Sequence, residues 1–317
     1  MTAKFSTQDI VEVINGIILS GRSNKVVGRI VWKLEDIQPG DWFIAMSSNY
    51  HDGHDDLNDA VLRGACGCIV NRRANYAFAS KDSNTILISV ADTKIALLDL
   101  MRAWRFKVNP KVIGVSGGSG RQSTMVLIHE FLKEKYRIHL AFMNSISWIG
   151  CIEEVLAMPE ETELLIFEAG GIERGDVSRI SGSLDPQLAV LTRLNKELTV
   201  FKRDVFQAAV YCEILEAIDN SNDNGYAVIY DASPLVTARV KDLQCNYQTS
   251  LFSQTSLLGL NWLKSIEIES ISAAMQDAIG CTVTQGDLWC AIETVKALGL
   301  THTKIAEFFA DVEPAIH

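Results

Sequence analysis

The sequence lacks several features that would assign it to a broad class at once. No apolar run reaches the roughly 18 residues that a membrane span needs, and no long apolar stretch follows Lys4, so neither a membrane helix nor a secretory leader is expected. Basic residues are few, with 29 Lys and Arg against 39 Asp and Glu and a net charge of −10. Nucleic acids and anionic membranes repel a surface of their own sign, so we expect neither as a partner.

The chain also lacks any Cys-x-x-Cys pair among its seven cysteines. The two nearest ones, Cys66 and Cys68, lie in the apolar run GACGCIV. This usage is typical of reduced, mostly buried thiols, and it predicts a cytoplasmic protein. With 317 residues, of which 48% are hydrophobic, the chain is long enough for two domains that each have a core.

Strand-like and helix-like segments alternate along the whole chain. Apolar runs such as KVIGVSG, ELLIFEAG and QLAVLTRL predict strands, and DVFQAAVYCEILEAI, residues 204–218, predicts one helix. Pro110 follows a predicted helix and marks a boundary. The pattern predicts an α/β fold, with an N-terminal α/β domain over residues 1–108 and a central domain over 109–317 built on a mostly parallel sheet.

The segment GVSGGSGRQS, residues 114–123, has the outline of a phosphate-binding loop between a strand and a helix. The glycines that would turn the chain are Gly117, Gly118 and Gly120. Arg121 stands where a lysine would reach the outer phosphates, and Gln122 stands where a hydroxyl would hold magnesium. Arginine keeps the positive charge of lysine, but its guanidinium is a bulky planar group. The next hydroxyl residue, Ser123, lies one position after the place where the magnesium-binding hydroxyl is expected. Phosphate binding and a purely structural turn are equal alternatives on these residues alone.

Three features fall at predicted strand ends. They are the glycine run of residues 114–120, Glu168, and the pair Thr192–Arg193. The carboxyl ends of parallel strands share one edge of a sheet, where ligands of such folds bind. We therefore expect these residues to meet at one edge.

The sequence from about residue 10 to the end resembles the Mur ligase family, the ATP-dependent enzymes that build the cell-wall peptide. The nearest branch is the one that adds D-alanyl-D-alanine to the UDP-muramoyl tripeptide. In the first domain, IQPGDWFIAM and YHDGHDDLNDAVLRGACGCIVN match that branch, with Asp52, Gly53 and His54 kept. In the second, VIGVSGGSGRQST is similar to the family's G-V-T-G-S-N-G-K-T-T, and NSISWIG is similar to its N-x-N-N-x-I-G, with Asn144 kept.

The resemblance implies roles for these positions. Glu168 would bind magnesium, and the Asp52–His54 turn would lie near the UDP substrate. The positions that would face ATP are Gly117, Gly118, Gly120, Arg121, Gln122, Ser123 and Asn144. His51 and His54 with Asp52 and Asp55 could instead suggest a metal site, which we weigh as the lesser alternative.

Several positions depart from the family pattern. Arg193 replaces an asparagine that contacts the nucleotide, and Glu197, after Lys196, stands where a metal-binding histidine is expected. Tyr211 replaces a carbamoylated lysine, and residues 31–33 lack the D-S-R that holds UDP. The match also ends before the family's third domain, which we expect to be absent.

These departures predict a catalytically impaired Mur ligase-like protein that acts as a binding, scaffold or regulatory protein. It would require no cofactor, although weak ATP or anion binding is compatible with it. The alternative is an ATP-dependent ligase with a rebuilt site, or one completed by a partner chain. We expect a homo-oligomer or another protein to cover the cleft face. Most apolar side chains within residues 288–309 would pack on the central sheet, but we expect some uncovered apolar surface there.

Two smaller questions stay open at this level. Arg121, Arg174 and Arg193 would form an anion pocket or else pair on the surface with Glu168, Glu173 or Asp176. Trp148 would fill the old substrate cleft or be exposed for a partner.

Overall fold

The computed structural model describes residues 2–21, 27–48, 50–74, 85–143, 148–194, 204–218, 225–230, 234–242, 248–251 and 282–312. The predicted site positions Asn144 and Glu197 lie outside these ranges. The chain divides into two compact units. One contains Met1–Val108 and Val155–Glu160, and the other contains Asn109–Glu154 and Glu161–His317. We keep the two predicted ranges, 1–108 and 109–317, as the proposed domains.

The first unit contains a five-stranded sheet, a two-stranded pair and helices. Its strands are β1 (Phe5–Ser6), β2 (Ile17–Ser20), β3 (Val27–Gly28), β4 (Ile30–Val31), β5 (Trp42–Ile44), β6 (Gly67–Asn71) and β7 (Ile86–Val90). Its helices are α1 (Thr7–Val13), α2 (Leu57–Leu62) and α3 (Thr93–Val108). The main sheet has the order β2-β7-β6-β5-β4, in which only β2 runs antiparallel to its neighbour. Strands β1 and β3 form a separate antiparallel pair.

A turn fixes the entry into β5. Pro39 and Gly40 precede Asp41, whose carboxylate accepts the Gln38 amide at 2.8 Å and pairs with the Arg29 guanidinium. Gly40 has a φ of 95°, in the left-handed region that glycine adopts without strain. The turn delivers Trp42 and Phe43 fully buried into the core.

The second unit is built on an all-parallel sheet. Its strands are β8 (Lys111–Ser116), β9 (Ile138–Ala141), β10 (Leu164–Ala169), β11 (Leu188–Leu191), β12 (Tyr226–Ile229) and β13 (Gln248–Leu251). Its helices are α4 (Arg121–Leu132), α5 (Ile149–Ala157), α6 (Asp176–Leu184), α7 (Asp204–Tyr211), α8 (Pro234–Asp242), α9 (Gln285–Ala297) and α10 (His302–Val312). The strand order is β13-β12-β11-β8-β10-β9. Strands β8 and β10 are almost wholly buried, which is why they read as continuous apolar runs. The protein therefore has the predicted α/β fold.

The last two helices complete the core of this unit. The expected uncovered apolar surface within residues 288–309 is not found there. Six of its apolar residues are buried in one core cluster: Leu288, Trp289, Ile292, Val295, Ile305 and Phe309. The other three, Leu298, Leu300 and Phe308, are partly buried and pack against that cluster. The expectation was wrong because α9 packs directly on α4, while Ile305 and Phe309 of α10 join the same core cluster as Phe131 of α4.

One predicted helix is shorter than expected. Residues 204–218 form α7 only to Tyr211, and Cys212–Ala217 continue as a 3-10 helix. In that tighter turn the buried Glu213 carboxylate accepts the backbone amides of Gly175 and Ser178, both at 3.1 Å through Oε2, and so caps the start of α6. Tertiary contact thus overrides the local helical pattern.

Within the described part of the chain, no helix is both long and apolar enough to cross a membrane.

Candidate functional site

The carboxyl ends of three neighbouring strands form the candidate site in the second unit. β8 lies between β10 and β11, and Ser116 at its end pairs in register with Ala169 on one side and Leu191 on the other. The glycine loop, which we define as residues 117–120, follows β8, while Glu168 lies at the end of β10 and Arg193 just after β11. The structure therefore brings these three predicted features to one edge.

The glycine loop adopts a backbone that requires glycine at two positions. Gly117 has a φ of 133°, and a Cβ there would overlap the side chain of Thr192. Gly120 has a φ of 81°, and a Cβ there would overlap the Asp287 carboxylate. Gly120 also provides the N-cap of α4. These glycines thus serve close packing within the protein itself.

Two loop amides bond to the protein's own backbone. The N–H groups of Gly118 and Ser119 both donate to the carbonyl oxygen of Arg193, at 2.9 and 3.1 Å. Thr192 anchors the same segment, because its amide and hydroxyl both donate to the Ser116 carbonyl. Each amide carries a single proton, so these two cannot donate to a phosphate while they hold Arg193.

Arg121, the first residue of α4, turns back over the loop. Its Nε donates to Glu168 Oε1 at 2.8 Å, and its Nη1 donates to the carbonyl oxygens of Gly117 and Gly118. The ion pair is well shielded, with 20% of the Arg121 side chain and 2% of the Glu168 side chain exposed. Of the two alternatives for Arg121, the structure shows pairing with Glu168, with the guanidinium partly buried rather than on the open surface.

Glu168 receives three N–H donors. Besides Arg121 on Oε1, its Oε2 accepts the Gln122 side-chain amide at 3.2 Å and the Met143 backbone amide at 3.0 Å. Gln122 therefore bonds to the predicted metal ligand itself. Within the described residues, no group of three or more His, Cys, Asp or Glu side chains could hold a metal ion.

Tyr211 lies on the other side of the guanidinium. The Cζ of Arg121 is 5.9 Å from the centre of the Tyr211 ring. Burial raises the pKa of the Tyr211 phenol, while the nearby Arg121 charge opposes that rise. Tyr211 thus stays a neutral, aromatic neighbour of a cation. The side chains of Arg121, Gln122, Glu168 and Tyr211 form one cluster, which we call the Arg121 cluster.

Asp287 was not predicted from sequence as part of this region. Its carboxylate accepts the Ser123 hydroxyl at 3.1 Å and the Thr284 amide at 2.8 Å, the latter as part of a capping box that starts α9. Burial raises the pKa of this carboxyl group. The T-x-x-D pattern of residues 284–287 is a cap signal that sequence could have yielded, but its contact with Ser123 could not be inferred.

The Asp52–His54 turn in the first unit is a closed hydrogen-bond network. His54 is buried, and its Nδ1 lies 2.6 Å from Asp52 Oδ1. The His54 Nε2 accepts the backbone N–H of Asn71 at 3.0 Å. A ring nitrogen that accepts a hydrogen bond carries no proton. The ring proton of His54 therefore lies on Nδ1, which donates it to Asp52.

The neighbours of Asp52 and His54 in this turn also have identifiable structural roles. The Ser47 hydroxyl also donates to Asp52, at 2.8 Å. Gly53 has no room for a side chain, since a Cβ would lie 2.9 Å from the Met46 carbonyl. His51 lies outside this network and pairs with Asp56 at 2.6 Å, which raises the pKa of the His51 imidazole. Both ring nitrogens of His54 take part in this hydrogen-bond network, so neither offers a lone pair to a metal ion. This disfavours the metal-site alternative for the turn.

Two further predicted positions have identified neighbours. The Arg179 guanidinium lies 5.2 Å from the centre of the Trp148 ring. Asp176 accepts the amides of Ile172 and Glu173, both at 3.1 Å, and lies 3.9 Å from Arg179. The Trp148 ring is half-buried and lies beside the Arg179 guanidinium, whose charge is in turn close to Asp176.

The sequence matches known proteins over much of its length. Residues 115–270 match the model of the Mur ligase middle domain. A UDP-N-acetylmuramoyl-tripeptide–D-alanyl-D-alanine ligase of Bacillus subtilis is 26% identical over 235 residues, which cover 74% of this chain and 50% of that protein. The ligase of the same name from Rickettsia prowazekii is 26% identical over 219 residues, with 67% and 47% covered. The chain thus spans about half the length of the curated relatives it matches.

Solved structures agree in fold. MurF of Acinetobacter baumannii has a TM-score of 0.70 at 20% identity, covering 80% of this chain and 54% of that one. The MurF ligase of Thermotoga maritima, solved in complex with ADP, has a TM-score of 0.61 at 23% identity, covering 71% and 50%. The chain therefore carries a Mur ligase middle domain and is a relative of the Mur ligases.

Proposed function

We propose that this chain is a Mur ligase relative that performs no ligase chemistry and acts as a binding protein, in a scaffold or regulatory role. One observation carries the proposal. The glycine loop is bonded internally, with the amides of Gly118 and Ser119 held by the Arg193 carbonyl. A phosphate would have to displace these bonds.

The chemistry of phosphoryl transfer supports the proposal. Such reactions depend on positioned cations and donors that stabilise the charge of the transferred group, and losing one donor costs roughly a hundredfold or more in rate. Here Arg121 and Gln122 stand at the positions of the lysine and hydroxyl of an active loop, and both bond to Glu168. The groups that would face ATP therefore bond to one another.

An active ligase is the competing proposal. It is favoured by the names of the relatives, which are D-alanyl-D-alanine-adding ligases. Under this alternative, ATP would open the loop, and a partner chain would supply any groups that the site lacks. The two proposals differ in whether ATP is consumed.

An assay of phosphate release separates them. The protein would be incubated with Mg²⁺ and ATP, with and without UDP-muramoyl tripeptide and D-alanyl-D-alanine, beside the Bacillus subtilis relative as an active control. We expect release at the level of a protein-free blank in all mixtures. Turnover that requires both substrates would establish the ligase and refute a purely binding role.

The binding partner is proposed only by class. We infer a second copy of the chain or another protein, with no nucleic acid and no cofactor required. The apolar residues of α9 and α10 do not support this, because they pack in the core. Support comes from the edge strand β2, where the consecutive residues Ile17, Ile18 and Leu19 are 51%, 37% and 53% exposed. The cytoplasmic location stays a prediction.

A further inference from the structure

The Arg121 cluster conflicts with the divalent cation that the fold family would place at Glu168. A Mg²⁺ ion takes oxygen ligands in near-octahedral geometry, and it needs lone pairs that face it. Both carboxylate oxygens of Glu168 instead face N–H groups, from Arg121 on one side and from Gln122 and Met143 on the other. The residues present therefore do not fit a metal ion at this position.

The guanidinium has the surroundings of a bound cation. Oxygen acceptors converge on it from Glu168 and from the carbonyls of Gly117 and Gly118, and the Tyr211 ring lies 5.9 Å away. Its charge balances a carboxylate that is almost completely buried. A buried carboxylate needs such a balance, because an unpaired charge in the protein interior is strongly unfavourable.

We propose that the Arg121 guanidinium takes the place of the divalent cation at Glu168, so that this site is built to be independent of metal. The proposal does not rest on the absence of ligase activity. A chain that consumed ATP would refute the proposed function, whereas a metal ion bound at Glu168 would refute only this inference.

The test compares four forms of the full chain: wild type, Arg121→Ala, Glu168→Gln and the double variant. Thermal unfolding of each is followed in EDTA and in millimolar Mn²⁺. We expect Arg121→Ala to lower the melting temperature in EDTA by on the order of 5 °C or more, since it leaves Glu168 unpaired. Mn²⁺ should restore part of this loss, and it should change neither the wild type nor the double variant.

A matched control breaks another ion pair of the same unit. Arg239 and Glu216 lie 2.6 Å apart but are more exposed, so Arg239→Ala should show no response to Mn²⁺. An Arg121→Ala variant that gains no stability from Mn²⁺ would overturn the proposal. So would a wild type that gains as much as the variant.

A second measurement does not depend on the folding of Arg121→Ala. Electron paramagnetic resonance of free Mn²⁺ can be recorded with the wild type and with Glu168→Gln in solution. We expect identical free Mn²⁺ with both proteins. Bound Mn²⁺ in the wild type that is lost in Glu168→Gln would overturn the proposal.

Discussion

The hydrogen bond between Asp52 and His54 gives the first unit a distinct response to acid. The His54 Nδ1–H lowers the pKa of Asp52 from 3.8 to about 2. A carboxyl group whose pKa is lowered by folding stabilises the protein above its unfolded pKa, and this contribution is lost as the pH falls from about 4 to 2. Because the Asp52 side chain is 49% exposed, solvent screening reduces the contribution to about 1 kcal/mol.

The change Asp52→Asn removes this titration. We expect the unfolding free energy of the wild type to fall more steeply with acid than that of the variant, as measured by urea denaturation at a series of pH values below 5. Asp55→Asn, at an exposed position of the same turn, serves as the control and should keep the wild-type slope. Parallel pH profiles for wild type and Asp52→Asn would contradict the assigned bond.

At single positions the sequence predicted which residues matter better than what they contact. Two of the residues that stand out in the sequence, Arg121 and Gln122, differ from the residue types of a phosphate-binding loop. The third, Glu168, is an acidic residue at the end of a buried strand. Pairing of Arg121 with Glu168 was predicted only as one alternative to an anion pocket, and the bond between Gln122 and Glu168 was not predicted. Arg121 and Glu168 are 47 residues apart, and a long side chain has many rotamers. The resemblance gave Glu168 a metal as its partner, whereas the structure gives it a guanidinium.

At the scale of elements, one hydroxyl connects helix α4 to helix α9. The Ser123 hydroxyl lies 3.2 Å from the Gly120 carbonyl oxygen and 3.1 Å from the buried Asp287 carboxylate, and its single proton is donated to the charged carboxylate. Removing it leaves that carboxylate with one donor fewer, so Ser123→Ala should lower the unfolding free energy by about 1–3 kcal/mol. Chemical denaturation measures the loss.

Ser178→Ala is the matched control for this change. Ser178 lies in the first turn of α6 and donates to the Gly175 carbonyl at 3.3 Å, in the same local pattern but without a second acceptor. Its loss should cost about 0.5 kcal/mol or less, because only a part-buried local bond is removed. Equal losses in the two variants would show that the Asp287 contact contributes nothing.

The elements themselves were predictable where the pattern was long and strong. Strands β8, β10 and β11 follow from continuous apolar runs, and their common edge follows from parallel connectivity. Helix α6 gave no signal because its sequence, DVSRISGSL, contains Gly182 and three serines, which are modest or poor helix formers. Strand β2 was missed because its sequence, IILS, is only four residues long and shows no alternation of apolar and polar residues.

At the scale of the whole molecule, a Mur ligase fold is combined with a glycine loop whose amides bond to the protein's own chain. The fold was recognisable from sequence because glycine turns and apolar strands carry it. The closed loop was not, because the loop amides of Gly118 and Ser119 bond to a carbonyl at Arg193, more than seventy residues away. Backbone contacts of this kind leave no signature in residue type.

Calorimetric titration with ADP in the presence of Mg²⁺ tests the closed loop most directly, because ADP is the ligand found in the Thermotoga maritima relative. The wild type would be compared with the double variant Arg121→Lys, Gln122→Thr, which restores the lysine and hydroxyl of an active loop in place of the guanidinium and amide that bond to Glu168. We expect no measurable binding heat for the wild type and a gain of affinity in the double variant. Binding of ADP by the wild type at micromolar concentration, with a requirement for Mg²⁺, would contradict this expectation.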